Sequence, residues 1–165
     1  MKKNVLVASA LTAAAAIVGV GAPAAQAEAR TVPLVRYFDG LKHYVTSGAR
    51  PGPKYREEGR VPILTKKEPG TRAIYGCLSG NAKRDQFLSG AADCENSVNP
   101  SAKRHAKLRT EGYLFTSPGP GRRALYRCYV PHTQSHFVSL RPDCESKPPT
   151  SKVNKEFVLG YFPHA

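Results

Sequence analysis

The chain has 165 residues, with 25 Lys and Arg against 12 Asp and Glu, which gives a formal net charge of +13. This basic composition favours anionic partners such as acidic polysaccharides or cell-wall polymers, and it also keeps a protein soluble. Nucleic acid is a possible partner with no support beyond charge. After the N-terminal segment no stretch is long and apolar enough to cross a bilayer, so no membrane span is expected in the mature chain.

Residues 1–27 are predicted to be a secretory signal peptide. Lys2 and Lys3 precede an apolar, alanine-rich run that small residues follow. Cleavage can follow Ala27 or Ala29, and we favour Ala27. A membrane anchor is the alternative, but the run is short and rich in Ala and Gly for a span. We therefore expect a secreted mature protein, 28–165, with 23 basic and 12 acidic residues and a formal charge of +11.

The mature chain is predicted to be a single domain made of three copies of one unit, at about 33–67, 72–117 and 122–162. Each copy begins with two short β-like runs separated by a turn, which indicates a hairpin. The predicted strands are 34–38 with 43–46, 74–78 with 86–89, and 125–129 with 136–139. A third strand is predicted in each copy, at 58–63, 111–116 and 159–162.

A glycine lies in each of these third strands. Gly59, Gly112 and Gly160 are expected to be equivalent, which gives the units a period of about 50 residues. The segment from Asn99 to Arg109 is expected to form a short helix in a loop, with Ala106 and Leu108 on one face. No other helix is predicted.

Units of this length cannot bury an apolar face alone, and three of them can close around a shared axis. We therefore expect a mainly β fold, a pseudo-threefold, trefoil-like assembly of short strands. A three-bladed arrangement with short helices outside is the alternative. The predicted core is built from corresponding residues of the three copies: Leu34, Ile74 and Leu125; Tyr44, Phe87 and Phe137; Val45, Leu88 and Val138.

Four cysteines in a small secreted protein predict two disulfides, for which three pairings exist. Cys77 and Cys94 belong to the second copy, and Cys128 and Cys144 belong to the third. The first copy lacks both members of the pair, which indicates pairing within a copy. We predict Cys77–Cys94 and Cys128–Cys144. No zinc site is expected, because no two cysteines have the short spacing that such sites use.

His43 and His136 take the same place in two copies, where the other copy has Gln86. This substitution favours a structural hydrogen-bonding role over catalysis. Neither a nucleophile motif nor a phosphate-binding glycine loop accompanies the histidines. Paired acids for glycoside hydrolysis are available, but most recur at repeated positions and are interpreted as framework: Asp39, Glu58, Asp85, Asp93, Glu111 and Asp143. No catalytic residue and no cofactor is predicted.

Tyrosines are the better candidates for binding, because their rings stack on sugars or bases and their hydroxyls form hydrogen bonds. Tyr75 and Tyr126 face away from the core residues that precede them in a strand of period two. We expect them to be exposed on one surface together with Arg127. The alternative is that they close the other side of the core. The candidate binding residues are Tyr75, Tyr126, Arg127, His43 and His136.

The repeated pattern resembles a family of secreted three-repeat domains of unknown function, whose units read roughly PLYRxYN, DHFYTT and EGxxFYV. The matching residues are 33–37, 43–46 and 58–59 in the first copy and 125–127, 136–139 and 160–162 in the third. Such domains accompany secreted peptidases and glycan hydrolases, which implies an accessory binding role. The chain departs from the pattern at Gln86 and Leu159.

Together these features predict a secreted, non-catalytic module that binds an anionic glycan or a cell-envelope polymer. The alternative is a secreted inhibitor of an extracellular hydrolase, with a loop such as 79–86 or 130–135 inserted into the target. A small hydrolase is the third possibility.

Overall fold

The computed structural model of the chain describes residues 31–81, 84–98, 104–146 and 152–164. Within these ranges more than half of the residues lie in nine β-strands, and none lies in a helix. The mainly β fold and the nine predicted strands are confirmed. The strands are β1 (Thr31–Phe38), β2 (His43–Thr46), β3 (Arg56–Leu64), β4 (Thr71–Leu78), β5 (Gln86–Ser89), β6 (Ala106–Phe115), β7 (Arg122–Val130), β8 (Ser135–Ser139) and β9 (Asn154–Pro163).

Each group of three consecutive strands pairs in the same order, always antiparallel. β1 pairs with β2 and β3, β4 pairs with β5 and β6, and β7 pairs with β8 and β9. We call these groups units 1, 2 and 3. Single bridges, Leu64 with Tyr113 and Phe115 with Tyr161, join the units into one sheet. Among the described residues no pairing closes this sheet.

The three units share one hydrophobic core. The third strands, β3, β6 and β9, contact one another, and so do the returning strands, β2, β5 and β8. Burial of apolar side chains where these strands meet is the main favourable term in folding. The core residues are Leu34, Val45, Val61 and Ile63 of unit 1, Ile74, Leu88 and Leu114 of unit 2, and Leu125, Val138, Leu159 and Phe162 of unit 3.

Most of the predicted core is confirmed, because six of its nine members lie in this cluster: Leu34, Val45, Ile74, Leu88, Leu125 and Val138. Phe87 and Phe137 are buried as well, but they pack against the cysteines. Tyr44 is only half-buried, so its assignment to the core is wrong. Tyr37 lies opposite Tyr44, where the other units have a buried cysteine, and unit 1 therefore has no disulfide at this place.

The expected equivalence of the three glycines is wrong. Gly112 and Gly160 lie opposite the first core residue of β4 and β7, but in β3 that place belongs to Val61. Gly59 lies two residues earlier, opposite Arg36. The difference arises because β6 and β9 each contain a bulge immediately before the glycine, whereas β3 has no bulge at the corresponding place. A Cβ atom on Gly112 or Gly160 would lie 2.6 or 2.7 Å from a side chain of the neighbouring third strand.

The disulfides Cys77–Cys94 and Cys128–Cys144 are confirmed, with Cα atoms 5.8 Å apart in both. Each bond joins the first strand of its unit to the turn that follows the returning strand. The second cysteine and the glutamate after it have positive φ in both units. Both disulfides are therefore built into the same local geometry.

The helix expected from Asn99 to Arg109 is wrong in its second half, because residues from Ala106 onward belong to β6 and pair with β4. Residues 99–103 and the predicted signal peptide, 1–27, lie outside the described residues. Nowhere in the described ranges is there a helix of the length and hydropathy that a membrane span requires.

Candidate functional site

Two arginines, Arg36 in β1 and Arg127 in β7, lie at corresponding positions beside a bulge in the third strand. The register shift after each arginine leaves one glutamate outside the regular ladder, Glu58 in β3 and Glu156 in β9. A bulge redirects the side chain of its extra residue. Arg36 Nε lies 3.0 Å from Glu58 Oε2, and Arg127 Nε lies 2.6 Å from Glu156 Oε2.

Each arginine also crosses to the neighbouring unit. Arg36 Nη1 donates to the carbonyl oxygen of Val138 in β8 over 2.9 Å, at what we call the unit 1–unit 3 junction. Arg127 Nη1 donates to the carbonyl oxygen of Leu88 in β5 over 2.9 Å, at the unit 3–unit 2 junction. The arginines thus satisfy backbone acceptors at two of the contacts between units.

A second glutamate at each junction comes from the turn after the disulfide. Glu145 Oε1 accepts from Arg36 over 2.7 Å, and Glu95 Oε1 accepts from Arg127 over 2.6 Å. The positive φ of 58° at Glu145 and of 66° at Glu95 belongs to the turn that aims these side chains. Arg127 is only 5% exposed, so two carboxylates are needed to compensate its desolvation.

At the unit 2–unit 1 junction a backbone carbonyl of the neighbouring unit is also satisfied, but by other residues. Gln86 donates to the carbonyl oxygen of Val45 over 2.9 Å and accepts from its N–H over 2.8 Å. Gly76 takes the place of the arginine, and a Cβ atom there would lie 2.5 Å from Glu111 Oε1. The buried Glu111 carboxylate fills that space and accepts from the N–H and hydroxyl of Ser47 over 2.6 and 2.8 Å.

His43 belongs to the unit 1–unit 3 junction. Its ring stacks between Phe38 and Phe137, with centroid distances of 4.5 and 4.8 Å. The backbone N–H of His43 donates to Ser135 Oγ over 2.9 Å, and its Nε2 lies 3.5 Å from the paired carboxylate of Glu58.

His136 takes the corresponding place at the unit 3–unit 2 junction, but its partners are acidic. Its Nδ1 is paired with Asp85, whose carboxylate also accepts the backbone N–H of His136 over 3.1 Å. Its Nε2 lies 3.3 Å from Glu156 Oε2. Phe87 and Tyr129 pack against the ring.

These surroundings move the two histidine pKa values in opposite directions. Burial, together with the charge of Arg36, lowers the pKa of His43 to about 4. Burial would also lower the pKa of His136, but the hydrogen bonds to Asp85 and Glu156 outweigh it and raise that pKa. Hence His43 is neutral at pH 7, while the two acids favour the protonated form of His136.

The unit 1–unit 3 junction opens into a cleft of about 370 Å³. Binding pockets for small molecules commonly measure ~300–1,000 Å³. The floor of this cleft is apolar, and its rim carries charges of both signs. The floor consists of Leu34, Val61, Leu125, Val138 and Leu140, and the rim carries Arg36, Arg60, Arg123 and Arg141 together with Glu58 and Glu145.

The cleft exists because a glycine lies beside its arginine. Gly59 is paired with Arg36, whereas Phe157 is paired with Arg127 in unit 3. The Phe157 ring covers the Arg127 guanidinium with 4.3 Å between the carbon Cζ and the ring centroid. Apart from Gly59 and its two chain neighbours, no heavy atom of a described residue lies within 4 Å of the place where Gly59 would carry a Cβ atom. The space that an aromatic ring takes in one junction is therefore open in the other.

Three of the four rim arginines are already paired. Arg60 forms two bonds of 2.7 Å with Glu57, and Arg141 forms bonds of 3.0 and 2.6 Å with Asp143. Arg36 is held by its two glutamates. Arg123 is exposed and has no hydrogen bond or ion pair with another described residue. Arg123 is therefore the cation that this cleft can offer to a ligand.

A second cavity, of about 260 Å³, lies beside His136 and Arg127 at the unit 3–unit 2 junction. Its charged side chains bond to one another, since Glu156 bridges His136 and Arg127. In the described ranges no group of three or more His, Cys, Asp or Glu side chains is placed to hold a metal ion. Arg127 and His136 therefore already have acidic partners, so neither is available to pair with an anionic ligand.

The structure divides the five predicted binding residues. Arg127 and His136 meet in one network, and His43 belongs to the corresponding network of another junction. Tyr75 and Tyr126 lie elsewhere, each partly buried against a disulfide and near a lysine. The expected exposure of Arg127 is wrong, because period two places it on the same side of β7 as the core residue Leu125. The five residues do not form one common site.

Sequence reasoning missed the residues that make the cleft, above all Gly59 and Arg123. The sequence predicts that Gly59 is equivalent to Gly112 and Gly160, and it gives no sign that distinguishes Arg123 from the other basic residues. Aligning the first strands does bring out one signal, because Arg36 and Arg127 take the same place. The additional bulges of β6 and β9, which give Gly112 and Gly160 a different register from Gly59, leave no trace in the residue pattern.

Comparison of this chain with family models, with curated proteins and with solved structures found no significant match.

Proposed function

We propose that this protein is a secreted, non-catalytic module that binds an anionic glycan or cell-envelope polymer through the cleft at the unit 1–unit 3 junction. The observation that carries this proposal is the uncommitted guanidinium of Arg123 at the rim of an apolar-floored cleft. Guanidinium groups bind carboxylates and phosphates with paired, charge-assisted hydrogen bonds. The high positive charge of the chain supports the approach of an anionic polymer.

The proposed location rests on the disulfides. Two buried disulfides with no free cysteine among the described residues suit an oxidising, extracellular compartment. The basic, alanine-rich N-terminal segment adds the signal that such a route needs. Secretion would also place the protein where cell-envelope polymers are found.

As part of this proposal, the three units are related by an approximate threefold axis, as in a trefoil. The support is the common pairing order within the units and the mutual contacts of β3, β6 and β9 and of β2, β5 and β8. In this arrangement the three junctions are variants of one geometry. Among the described junctions, only the unit 1–unit 3 junction combines a half-buried arginine with a glycine opposite it.

The test is co-sedimentation of the purified mature protein with insoluble polymers. We expect binding to cross-linked polygalacturonate or to phosphate-rich cell walls at low salt, weaker binding at 0.5 M NaCl because salt screens charge, and little binding to cellulose. Replacement of Arg123 by Gln should weaken binding. Absence of binding to every acidic polymer at low salt would overturn the proposal. Inhibition of a protease or glycosidase by the unbound protein would instead support the inhibitor alternative.

A further inference from the structure

We infer that the cleft is a subsite for one anionic sugar residue, whose carboxylate or phosphate binds Arg123 and whose hydroxyl groups bind the acidic wall of the cleft. This inference rests on the proposed function and makes it more specific. An end-group or side-group would enter the cleft, and the rest of the polymer would remain outside.

The number of anionic groups that the cleft can bind follows from how its charged side chains are paired. Arg60 and Arg141 are each engaged through two bonds to an acid, and Arg36 is engaged by two. Arg123 therefore supplies the one positive charge at the cleft that no described residue compensates. A single anionic group can therefore pair with Arg123, while a second would meet the carboxylates of Glu58 and Glu145.

The acidic wall of the cleft is suited to bind hydroxyl groups. Glu58 and Glu145 both line the cleft, with side chains 30% and 40% exposed. Glu58 uses Oε2 for Arg36 and His43, and its Oε1 has no hydrogen bond to another described residue. An ionised carboxylate only accepts hydrogen bonds, so its partner must be a donor such as a sugar hydroxyl.

The floor suits the other face of a sugar. Leu34 and Leu125 are 1% exposed and Val138 is 7% exposed, so they form a packed apolar surface under the charged rim. A pyranose ring carries C–H groups on its faces and hydroxyls at its edge, and it can cover such a floor while its edge meets polar groups. Pockets that combine an apolar lining with a few placed polar groups are typical of small-molecule sites.

Gly59 provides the space. In unit 3 the corresponding residue, Phe157, lies over the arginine and takes the volume that is open beside Arg36. The Cβ position of residue 59 has no contact within 4 Å other than its chain neighbours, so the first atom of a Phe side chain fits there. The chain thus contains a template for closing its own cleft without new backbone geometry.

The experiment is a titration of the mature protein, followed by two-dimensional NMR and isothermal calorimetry at constant ionic strength. The probes are glucuronic acid, glucose 6-phosphate, glucose, benzoate and inorganic phosphate. We expect glucuronic acid, glucose 6-phosphate or both to bind more tightly than glucose, benzoate and inorganic phosphate. Comparison of the two anionic sugars decides whether the group is a carboxylate or a phosphate.

Variants locate the site. R123Q should weaken binding of the anionic sugar about tenfold or more, and R123K should recover part of it, because a charge-assisted hydrogen bond contributes at about this level. G59F should abolish binding, while the control G52F, outside the cleft and next to Tyr55, should not change it. Thermal unfolding shows whether G59F folds. If it does not, R123Q and R123K decide alone.

The outcomes separate this inference from the proposed function. If an acidic polymer binds wild type, R123Q and folded G59F equally, the module function stands at another surface and the subsite is overturned. If benzoate or inorganic phosphate binds as tightly as both anionic sugars, the site is an anion site without sugar recognition and the inference is also overturned. If neither polymers nor sugars bind, both proposals fail.

Discussion

The same substitution at two histidines should change the pH dependence of stability in opposite directions. His43 and His136 take corresponding places in units 1 and 3, and unit 2 already has Gln86 there, so Gln is compatible with the backbone. The variants are His43→Gln and His136→Gln. Their unfolding free energies, minus that of wild type, should change with opposite slope as the pH is varied from 4 to 9.

The sign follows from proton binding in the two states. The pKa of His43 is about 4 in the folded protein, compared with an ordinary value of 6.5. Between pH 6.5 and pH 4 the unfolded chain binds a proton at this histidine that the folded protein does not bind. The stability of the wild-type protein therefore falls as the pH drops from 6.5 toward 4. Each pH unit in this window costs up to ~1.4 kcal/mol, so the total is about 2–3 kcal/mol. His43→Gln should lose this acid-side decline.

The raised pKa of His136 has the opposite effect. Protonated His136 is paired with Asp85 and Glu156, so its stabilisation is fully present below the ordinary pKa of 6.5 and is lost as the pH rises through the raised folded pKa. His136→Gln should therefore cost more stability at pH 6 than at pH 9.

Urea unfolding followed by circular dichroism at each pH supplies the free energies. Wild type is the common reference, so titrations of unrelated acids cancel in the differences. Equal slopes for the two variants, or a His43→Gln protein that declines with acid as steeply as wild type, would refute the lowered pKa of His43 and the raised pKa of His136.

Three further predictions concern the framework. Gly112→Ala should destabilise the protein by about 1–3 kcal/mol in urea unfolding, because its Cβ would lie 2.7 Å from a backbone oxygen of β3, whereas Gly59→Ala should change stability by less than about 0.5 kcal/mol. Arg127→Ala should cost about 3–5 kcal/mol, measured in the same way, since it leaves two carboxylates at the junction without their cation. Replacing both Cys128 and Cys144 by Ser should lower stability by about 3 kcal/mol, seen as a lower urea midpoint, because the bond closes a loop with a sequence separation of 16.

Each of these has a result that contradicts it. Equal effects of alanine at Gly59 and Gly112 would mean that the two glycines are equivalent after all. A stability loss below 1 kcal/mol for Arg127→Ala would show that its network is solvated rather than buried. An unchanged urea midpoint for the double serine variant would show that the disulfide does not constrain the unfolded chain.

The strands and the disulfides could be predicted from the sequence because their signals are local or recur. A hairpin appears as two apolar runs around turn residues, and β2 and β5 were predicted with the bounds that the structure has. The pairing of Cys77 with Cys94 followed from the loss of both partners in unit 1. These inferences needed no knowledge of how the units contact one another.

The junctions could not be predicted in this way. The contact of Arg127 with the carbonyl of Leu88 joins residues 39 apart in sequence, and neither segment has a residue pattern that predicts contact with the other. The bulge that redirects Glu58 moves the register by one residue without any special residue type. Gly59 then appears equivalent to Gly112 by eye, while strand pairing gives Gly112 the place of Val61.

The three junctions show how one backbone arrangement yields a single apolar-floored cleft among the described residues. Each must satisfy a carbonyl group of the neighbouring returning strand, and each does so with a different set of side chains. Gln86 and buried Glu111 fill the first, and at the second Phe157 covers Arg127, so that the remaining cavity is lined by charged side chains bonded to one another. Arg36 satisfies the third carbonyl equally well, but the residue beside it is a glycine, so the volume stays open. The ligand site proposed here is thus produced by the absence of a covering side chain rather than by an added motif. A search for catalytic or binding motifs in this chain would pass over Gly59.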